Sequence, residues 1–359
     1  MPGAFSQFVF NRFRRNEARL HDLNYLFWEC TLRCNLNCRH CGSDCRSDSG
    51  VKDMPFEDFL GAIAPLKTAY PRNSITVAIM GGEPLARADL PLCGKRLREN
   101  GFLWGMVTNG FAYTPETHER LLDSGMGSVT LSLDGLEATH NWMRGNDRSF
   151  ERAARALDLI AGARGLAYDV VTCVNKKNIG ELERLKEFLI ARKAAAWRIF
   201  TVAPIGRAAT DADMELSAEE LARLMDFISG ARREGRIALT FSCEAYLGRY
   251  ETKARGSRFF CRAGVHIASV LADGSISACP NIDRSFAQGN IYRDDFLQVW
   301  NERFQVMRDR RWARTGACAD CADFKNCEGG AMHLWNERRD SVLTCIHKRL
   351  GEKAGGKRP

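Results

Sequence analysis

The sixteen residues from Cys30 to Cys45 read CTLRCNLNCRHCGSDC and hold five of the chain's fourteen cysteines. Seven more, Cys243, Cys261, Cys279, Cys318, Cys321, Cys327 and Cys345, are spread over the last third of the chain. Thiolates at this density suit soft metals, either a tetrahedral zinc or the irons of an iron–sulfur cluster. In the first group, Cys34, Cys38 and Cys41 have the most distinctive spacing. Three thiolates on one loop hold three irons of a [4Fe–4S] cube and leave the fourth open. Spacing alone leaves zinc open too, because four thiolates drawn from Cys34, Cys38, Cys41 and Cys45 would suit it. A disulfide scaffold is disfavoured, since a chain of 359 residues that starts without a signal-peptide pattern is expected in a reducing cytoplasm. Cys30, Cys93 and Cys173 sit in regular segments and read as small packing residues, and Cys45 as an exposed loop thiol.

The elements that must carry these thiols alternate. Strand patterns cover 25–29, 74–80, 102–107, 128–133, 168–174 and 197–202, and helical patterns lie between and after them. Helix starts are marked by Thr114 before Pro115 and by the capping box Ser217 to Glu220. Six such units imply parallel strands and right-handed crossovers. The fold class is therefore α/β, a partial (β/α)6 TIM-like barrel, and chemistry-bearing residues follow nearly every strand, as on the rim of such barrels. Past residue 237 the alternation stops, and short glycine-punctuated segments with a hairpin turn at Asp273-Gly274 take over. The expected divisions are an N-terminal arm (1–22), a core (23–235), a cysteine-rich domain (236–350) and a disordered tail (351–359). The stripe Phe5, Phe8, Val9 and Phe13 is expected to pack on the barrel. Net charge is +8, but Lys and Arg are scattered, which argues against nucleic acid, and no apolar run is long enough to span a membrane.

Motifs at successive strand ends carry a resemblance. After the first strand comes the cysteine loop, and after the second Gly81-Gly82-Glu83-Pro84. Thr108-Asn109-Gly110 follows the third, and Ser132-Leu-Asp134-Gly135 with His140 and Arg144 the fourth. Taken together and in this order, they resemble the radical S-adenosylmethionine (SAM) enzymes over roughly residues 24–235. The resemblance implies that Cys34, Cys38 and Cys41 hold a [4Fe–4S] cluster whose open iron binds SAM, and that reduction yields a 5′-deoxyadenosyl radical for hydrogen abstraction. It also implies a cofactor-binding rim. Gly81 to Pro84, with the Glu83 carboxylate, would meet the methionine amino group. Thr108 and Asn109 would line the site, and Ser132 and Asp134 would lie near the ribose. Arg144 would pair with the SAM carboxylate. His40 stands where an aromatic or apolar residue is usual, and its ring can stack on adenine.

The later cysteines resemble the SPASM extension, which carries one or two auxiliary [4Fe–4S] clusters. Cys318, Cys321, Cys327 and Cys345 would complete one. Cys261, Cys279 and Cys243 would serve the other, whose fourth cysteine is replaced here by Ala331. An open iron, a ligand such as His333, or no cluster at all remain open, and structural zinc is the alternative for the whole field. The resemblance implies a radical SAM enzyme acting on a peptide or small protein, with an electron donor such as flavodoxin or ferredoxin. The opening and closing motifs look most like a maturase subgroup found beside small lipoproteins. The alternative is an enzyme of small-molecule cofactor or tetrapyrrole synthesis. A non-enzymatic electron carrier is disfavoured by the intact SAM motifs. Sulfatase-type maturation is disfavoured because Pro280 follows Cys279, leaving Asp283 as the weak candidate for a catalytic base.

Overall fold

The computed structural model describes residues 2–242 and 244–352; Met1, Cys243 and residues 353–359 lie outside the described residues. Seven strands run parallel as neighbours: β1 (Tyr25–Thr31), β2 (Thr76–Gly81), β3 (Leu103–Thr108), β4 (Ser128–Ser132), β5 (Ala167–Val174), β6 (Ala196–Thr201) and β7 (Ala238–Phe241). On the other side of β1 lies β8 (Ile267–Val270), parallel to it from Tyr25 opposite Ile267, followed by antiparallel β9 (Ser275–Ser277) and β10 (Gly289–Asn290). The sheet is an open partial barrel whose edges are β10 and β7.

Helices cover this sheet because each buries an apolar side. In the helix Phe56–Ile63 the buried set is Phe56, Phe59, Leu60 and Ile63, and Phe59 stacks on Trp28 of β1 at 4.6 Å. Both anticipated caps form. Thr114 accepts from the Thr117 N–H, and Ser217 and Glu220 close the capping box. The hairpin turn at Gly274 is present as well, with φ of +83°.

The structure adds two elements to these expectations and reverses one of them. A seventh core strand, β7, lies beyond the boundary expected at 235; it has only four residues, two of them buried, too short for a periodic signal. The final helix, Ile346–Glu352, runs two residues into the segment expected to be disordered. The stripe on the N-terminal helix (Pro2–Leu20) faces outward, because that helix is held to the protein by its polar side. No helix among the described residues is long and apolar enough to cross a membrane.

Beyond the end of their regular pairing, β1 and β2 stay in contact. The Gly82 N–H donates to Thr31 O at 2.8 Å and the Glu83 N–H to Arg33 O at 2.9 Å. A Cβ on Gly81 would sit 2.1 Å from Thr31 O, and one on Gly82 would sit 2.2 Å from Arg33 O. Both obstacles are backbone, and neither can swing away. Gly82→Ala is therefore expected to lower stability by about 1–3 kcal/mol through overpacking. Gly61→Ala, in a helix with nothing within 4 Å of the added Cβ, should raise it by about 0.5–1 kcal/mol. Thermal unfolding midpoints moving in opposite directions would bear this out, and an unchanged midpoint for Gly82→Ala would contradict it.

Candidate functional site

The cysteine loop leaves the end of β1 and is gripped from three sides. The first is the Gly81-Gly82 contact just described. On the second, the helix Glu137–Arg144 ends against it: the Arg39 N–H donates to Met143 O at 2.9 Å, and Gly145, at φ +66°, stands where a Cβ would be 2.9 Å from Asn37 O. On the third, Arg207 donates through Nε to Cys38 O at 2.7 Å and through its N–H to Cys41 O at 3.0 Å. Gly206 beside it would clash with Cys41 O if it carried a Cβ, at 2.3 Å. Sequence reading assigned nothing to residues 206 and 207, since a lone Gly-Arg in a loop has no distinguishing pattern.

The three thiols each meet a different partner. Cys34 Sγ lies 3.8 Å from Asn109 Nδ2, Cys38 Sγ lies 3.7 Å from Arg144 Nη1, and Cys41 Sγ accepts from the Cys45 N–H at 3.3 Å. Burial pushes the Cys34 thiol up to about 11. Hydrogen bonds from Cys45, side chain first, lower the Cys41 thiol from its ordinary value. Cys45, expected to be an exposed loop thiol, is in fact buried against Cys41. Among the described residues, the set of donors lying mutually within 4.8 Å is His40, Asp134 and Cys173. The compact set itself takes in Asp134, which is already paired to a cation.

That cation is Arg144, whose Nε lies 2.7 Å from Asp134 Oδ2, both side chains being buried. Asp134 Oδ1 accepts the Cys173 N–H at 3.0 Å, and the Asp134 N–H donates to His140 Nδ1 at 3.0 Å. Burial works against the Asp134 carboxylate, yet Arg144 and then His40 hold it below its ordinary value. Desolvation drives the imidazoles down, His40 to about 4 and His140 to about 3, so both are neutral near pH 7. His40 sits beside Asp134, with Nε2 at 3.8 Å from Oδ2.

Glu83 is engaged by the protein itself. Its oxygens accept from Thr108 Oγ1 at 2.7 Å, the Asn109 N–H at 2.8 Å and the Leu85 N–H at 3.2 Å. The residue thus braces the ends of β2 and β3, and buried Pro84 begins the turn Pro84–Ala86 that follows. Asn109, oriented by this brace, also donates to Asn35 Oδ1 at 2.8 Å. Ser132 ends β4 opposite Val171.

In the second field, Cys318, Cys321, Cys327 and Cys345 are near enough that their charges oppose one another. Burial, then Cys345 and Cys321, raise the Cys318 thiol, and burial takes Cys327 up to about 12. Cys261 and Cys279 line one cavity of about 330 Å³ together with Ala331 and His333. Thr240 and Phe241 of β7 and Ile267 of β8 also reach it, so strands from both ends of the parallel run border it. A larger cleft of about 830 Å³ separates the cysteine loop at Gly42 to Asp44 from the C-terminal domain. Asp283, Arg284 and Arg338 line it, and His333 and Ile282 border both spaces. Asp283 is exposed and accepts the Ser285 N–H at 2.8 Å. Glu244, not singled out from the sequence, is buried and grips Thr201 at the end of β6 through its N–H (2.9 Å) and Oγ1 (2.7 Å). Burial raises its carboxyl to about 8, and its carbonyl accepts the Ala331 N–H at 2.9 Å.

With this geometry in place, comparison with known proteins is informative. The profile of the radical SAM superfamily matches residues 28–189, and that of an iron–sulfur cluster-binding domain, SPASM, matches residues 261–322. The chain is 31% identical to the mycofactocin maturase of Mycolicibacterium smegmatis over 86% of its own length and 77% of that protein's. It is 26% identical to the AdoMet-dependent heme synthase of Nitratidesulfovibrio vulgaris over 88% and 89%. Among solved structures it resembles native anSMEcpe with bound AdoMet (TM-score 0.70, 19% identity, 92% of this chain and 96% of that one). It also resembles Streptococcus suis SuiB bound to S-adenosylmethionine (0.65, 19%, 86% and 73%). These structural likenesses bear on the fold.

Removing one member of the buried ion pair leaves the other uncompensated. Arg144→Ala is expected to destabilise the protein by about 3–5 kcal/mol, and adding Asp134→Asn to it should recover part of that loss. The folded-state value of Asp134 is depressed, so its contribution is complete above its ordinary value of 3.8 and is lost as pH falls through the lower folded value. Unfolding midpoints check both points. A double variant no more stable than Arg144→Ala would contradict the pairing.

Proposed function

The chain belongs to the radical SAM superfamily, with a SPASM iron–sulfur domain after its core, and we propose that it is a maturase of a peptide or small protein. The observation that carries this is the cleft beside the cysteine loop. It is bordered by charged and amide side chains, among them Asp44, Asp283, Arg338 and Asn336, which match the polar backbone of an extended peptide. The similarity to a mycofactocin maturase supports the same choice.

The cofactors are SAM and [4Fe–4S] clusters. When bound, they supply the one-electron cleavage that yields methionine and the 5′-deoxyadenosyl radical. The chain's residues present fit that group. Cys34, Cys38 and Cys41 are the ligands we assign to the first cluster, and Arg144 brings positive charge to a site gathering three thiolates. Asn109, held by Glu83, and the Gly81-Gly82 backbone set the height of the loop. Neutral His40 offers an uncharged ring face, and Asp134 fixes the reach of Arg144. In the second field we assign Cys318, Cys321, Cys327 and Cys345 to one auxiliary cluster. Cys261 and Cys279, with Cys243 from outside the described residues, go to the other, where Ala331 lies at the wall and the His333 imidazole stands ready as a nitrogen donor. Asp283, exposed in the cleft, remains the candidate to accept a substrate proton. We infer a reductant of the flavodoxin or ferredoxin kind and a cytoplasmic setting.

Anaerobically reconstituted protein reduced with dithionite should release 5′-deoxyadenosine from SAM, and Cys34→Ala/Cys38→Ala/Cys41→Ala should abolish this while keeping about eight of about twelve irons. Retained cleavage in that variant would refute the assignment. For the substrate, the enzyme is co-expressed with each short reading frame that sequencing of its gene's neighbourhood turns up, and the products are weighed by mass spectrometry. A peptide mass change that needs Cys34, Cys38 and Cys41 is the expected result. Turnover of an iron porphyrin with every such peptide unmodified would overturn the maturase reading.

A further inference from the structure

The N-terminal helix packs in an inverted sense. Its inward side is polar. Asn11 meets Asn326, and Arg14 donates to Lys325 O at 2.9 Å and Asn326 O at 3.0 Å and pairs with Glu328 at 2.8 Å. Glu17 pairs with His266 at 2.8 Å. Its outward side carries Phe5, Phe8, Val9, Phe13 and Leu20, exposed by 73, 57, 49, 43 and 48%. These are five of the ten large hydrophobic residues exposed among the described residues, so the patch is concentrated on one element. At about 3.6 residues per turn, Arg12, Arg15 and Arg19 fall within the same arc, and all three are exposed. The helix's one acidic residue, Glu17, is turned away and occupied.

We propose that this face docks the protein on an anionic lipid surface, with the helix lying in the interface. Aromatic rings interleaved with arginines are the composition that sits at the headgroup level, the rings among the upper acyl chains and the guanidinium groups on phosphates. The charge is complementary to anionic lipid and to nothing in the chain's own face. A two-fold contact with a second copy would set the three arginines of one helix against those of the other. A peptide partner would want a groove, and these side chains stand on the outside of a single helix. The polar clamp through Arg14 and Glu17 holds the helix rigidly, so the face is presented ready-made.

The test is flotation of anaerobically prepared full-length protein with vesicles of phosphatidylcholine, or of equal parts phosphatidylcholine and phosphatidylglycerol. The wild type should float with the anionic vesicles and stay behind with the neutral ones. Arg12→Gln/Arg15→Gln/Arg19→Gln should weaken binding about a hundredfold, each basic side chain near an anionic surface contributing roughly fivefold. Phe5→Ser/Phe8→Ser/Phe13→Ser should weaken it by at least about tenfold. Far-UV circular dichroism and release of 5′-deoxyadenosine should stay unchanged in both, since all six positions are exposed. Failure of the wild type to float, equal flotation on neutral vesicles, or flotation indifferent to both variants would overturn the proposal. A solution dimer abolished by the phenylalanine changes would overturn it too, assigning the face to a second copy.

Discussion

The buried contact between Asp134 and Arg144 is the constraint on which the rest of the site depends. Two charges removed from water offset each other only as a pair, and taking one away leaves the other buried and uncompensated. Here Asp134 spends its second oxygen on the backbone of β5 and its amide on His140, while Arg144 extends toward Cys38. The pair therefore ties the ends of β4 and β5 to the last turn of the helix Glu137–Arg144, and that turn is what the cysteine loop rests on at Asn37 and Arg39. The loop has little apolar surface with which to hold its own shape. Its conformation comes from backbone contacts made possible by Gly81, Gly82, Gly145 and Gly206, each placed where a side chain would meet a carbonyl.

The second thiol field is attached to the same framework and is not an independent unit. β8 pairs directly with β1, the strand that leads into the first cysteines, and β7 approaches the cavity containing Cys261 and Cys279 from the other side. Glu244 joins the two regions twice, through its carboxyl group on Thr201 at the barrel rim and through its carbonyl on the amide of Ala331. Glu244 thus links the rim to the wall of the auxiliary cavity through three hydrogen bonds. This provides a mechanical reason for the C-terminal domain to be in register with the site that generates the radical.

Much of the framework was legible beforehand because it is written in local patterns. Six strands, the caps at Thr114 and Ser217, and the turn at Gly274 follow from periodicity and from residues whose conformational needs are short-range. The motifs after each strand were legible for the same reason, as they lie where a parallel sheet must place its rim. What escaped depends on distant contacts. β7 was too short to show a period, and the pairing of β8 with β1 joins residues far apart in the chain. The burial of Cys45, the grip of Arg207 and the role of Glu244 arise only when loops from different units meet. Glu83 looked like a free carboxylate, and only the fold shows three protein donors already on it. The N-terminal stripe was read by the rule that apolar faces turn inward, which this helix breaks because its polar side has better partners.

The measurement that tests the central claim most directly is electron–nuclear double resonance on the reduced, reconstituted protein with SAM labelled isotopically in its amino and carboxylate groups. If Cys34, Cys38 and Cys41 leave one iron open for SAM, hyperfine coupling from both labelled groups should appear on the cluster signal. It should vanish in Cys34→Ala/Cys38→Ala/Cys41→Ala, although the auxiliary signals persist. A reduced cluster signal that shows no coupling to either label, or first-loop thiols occupied by zinc in anaerobically prepared protein, would contradict it.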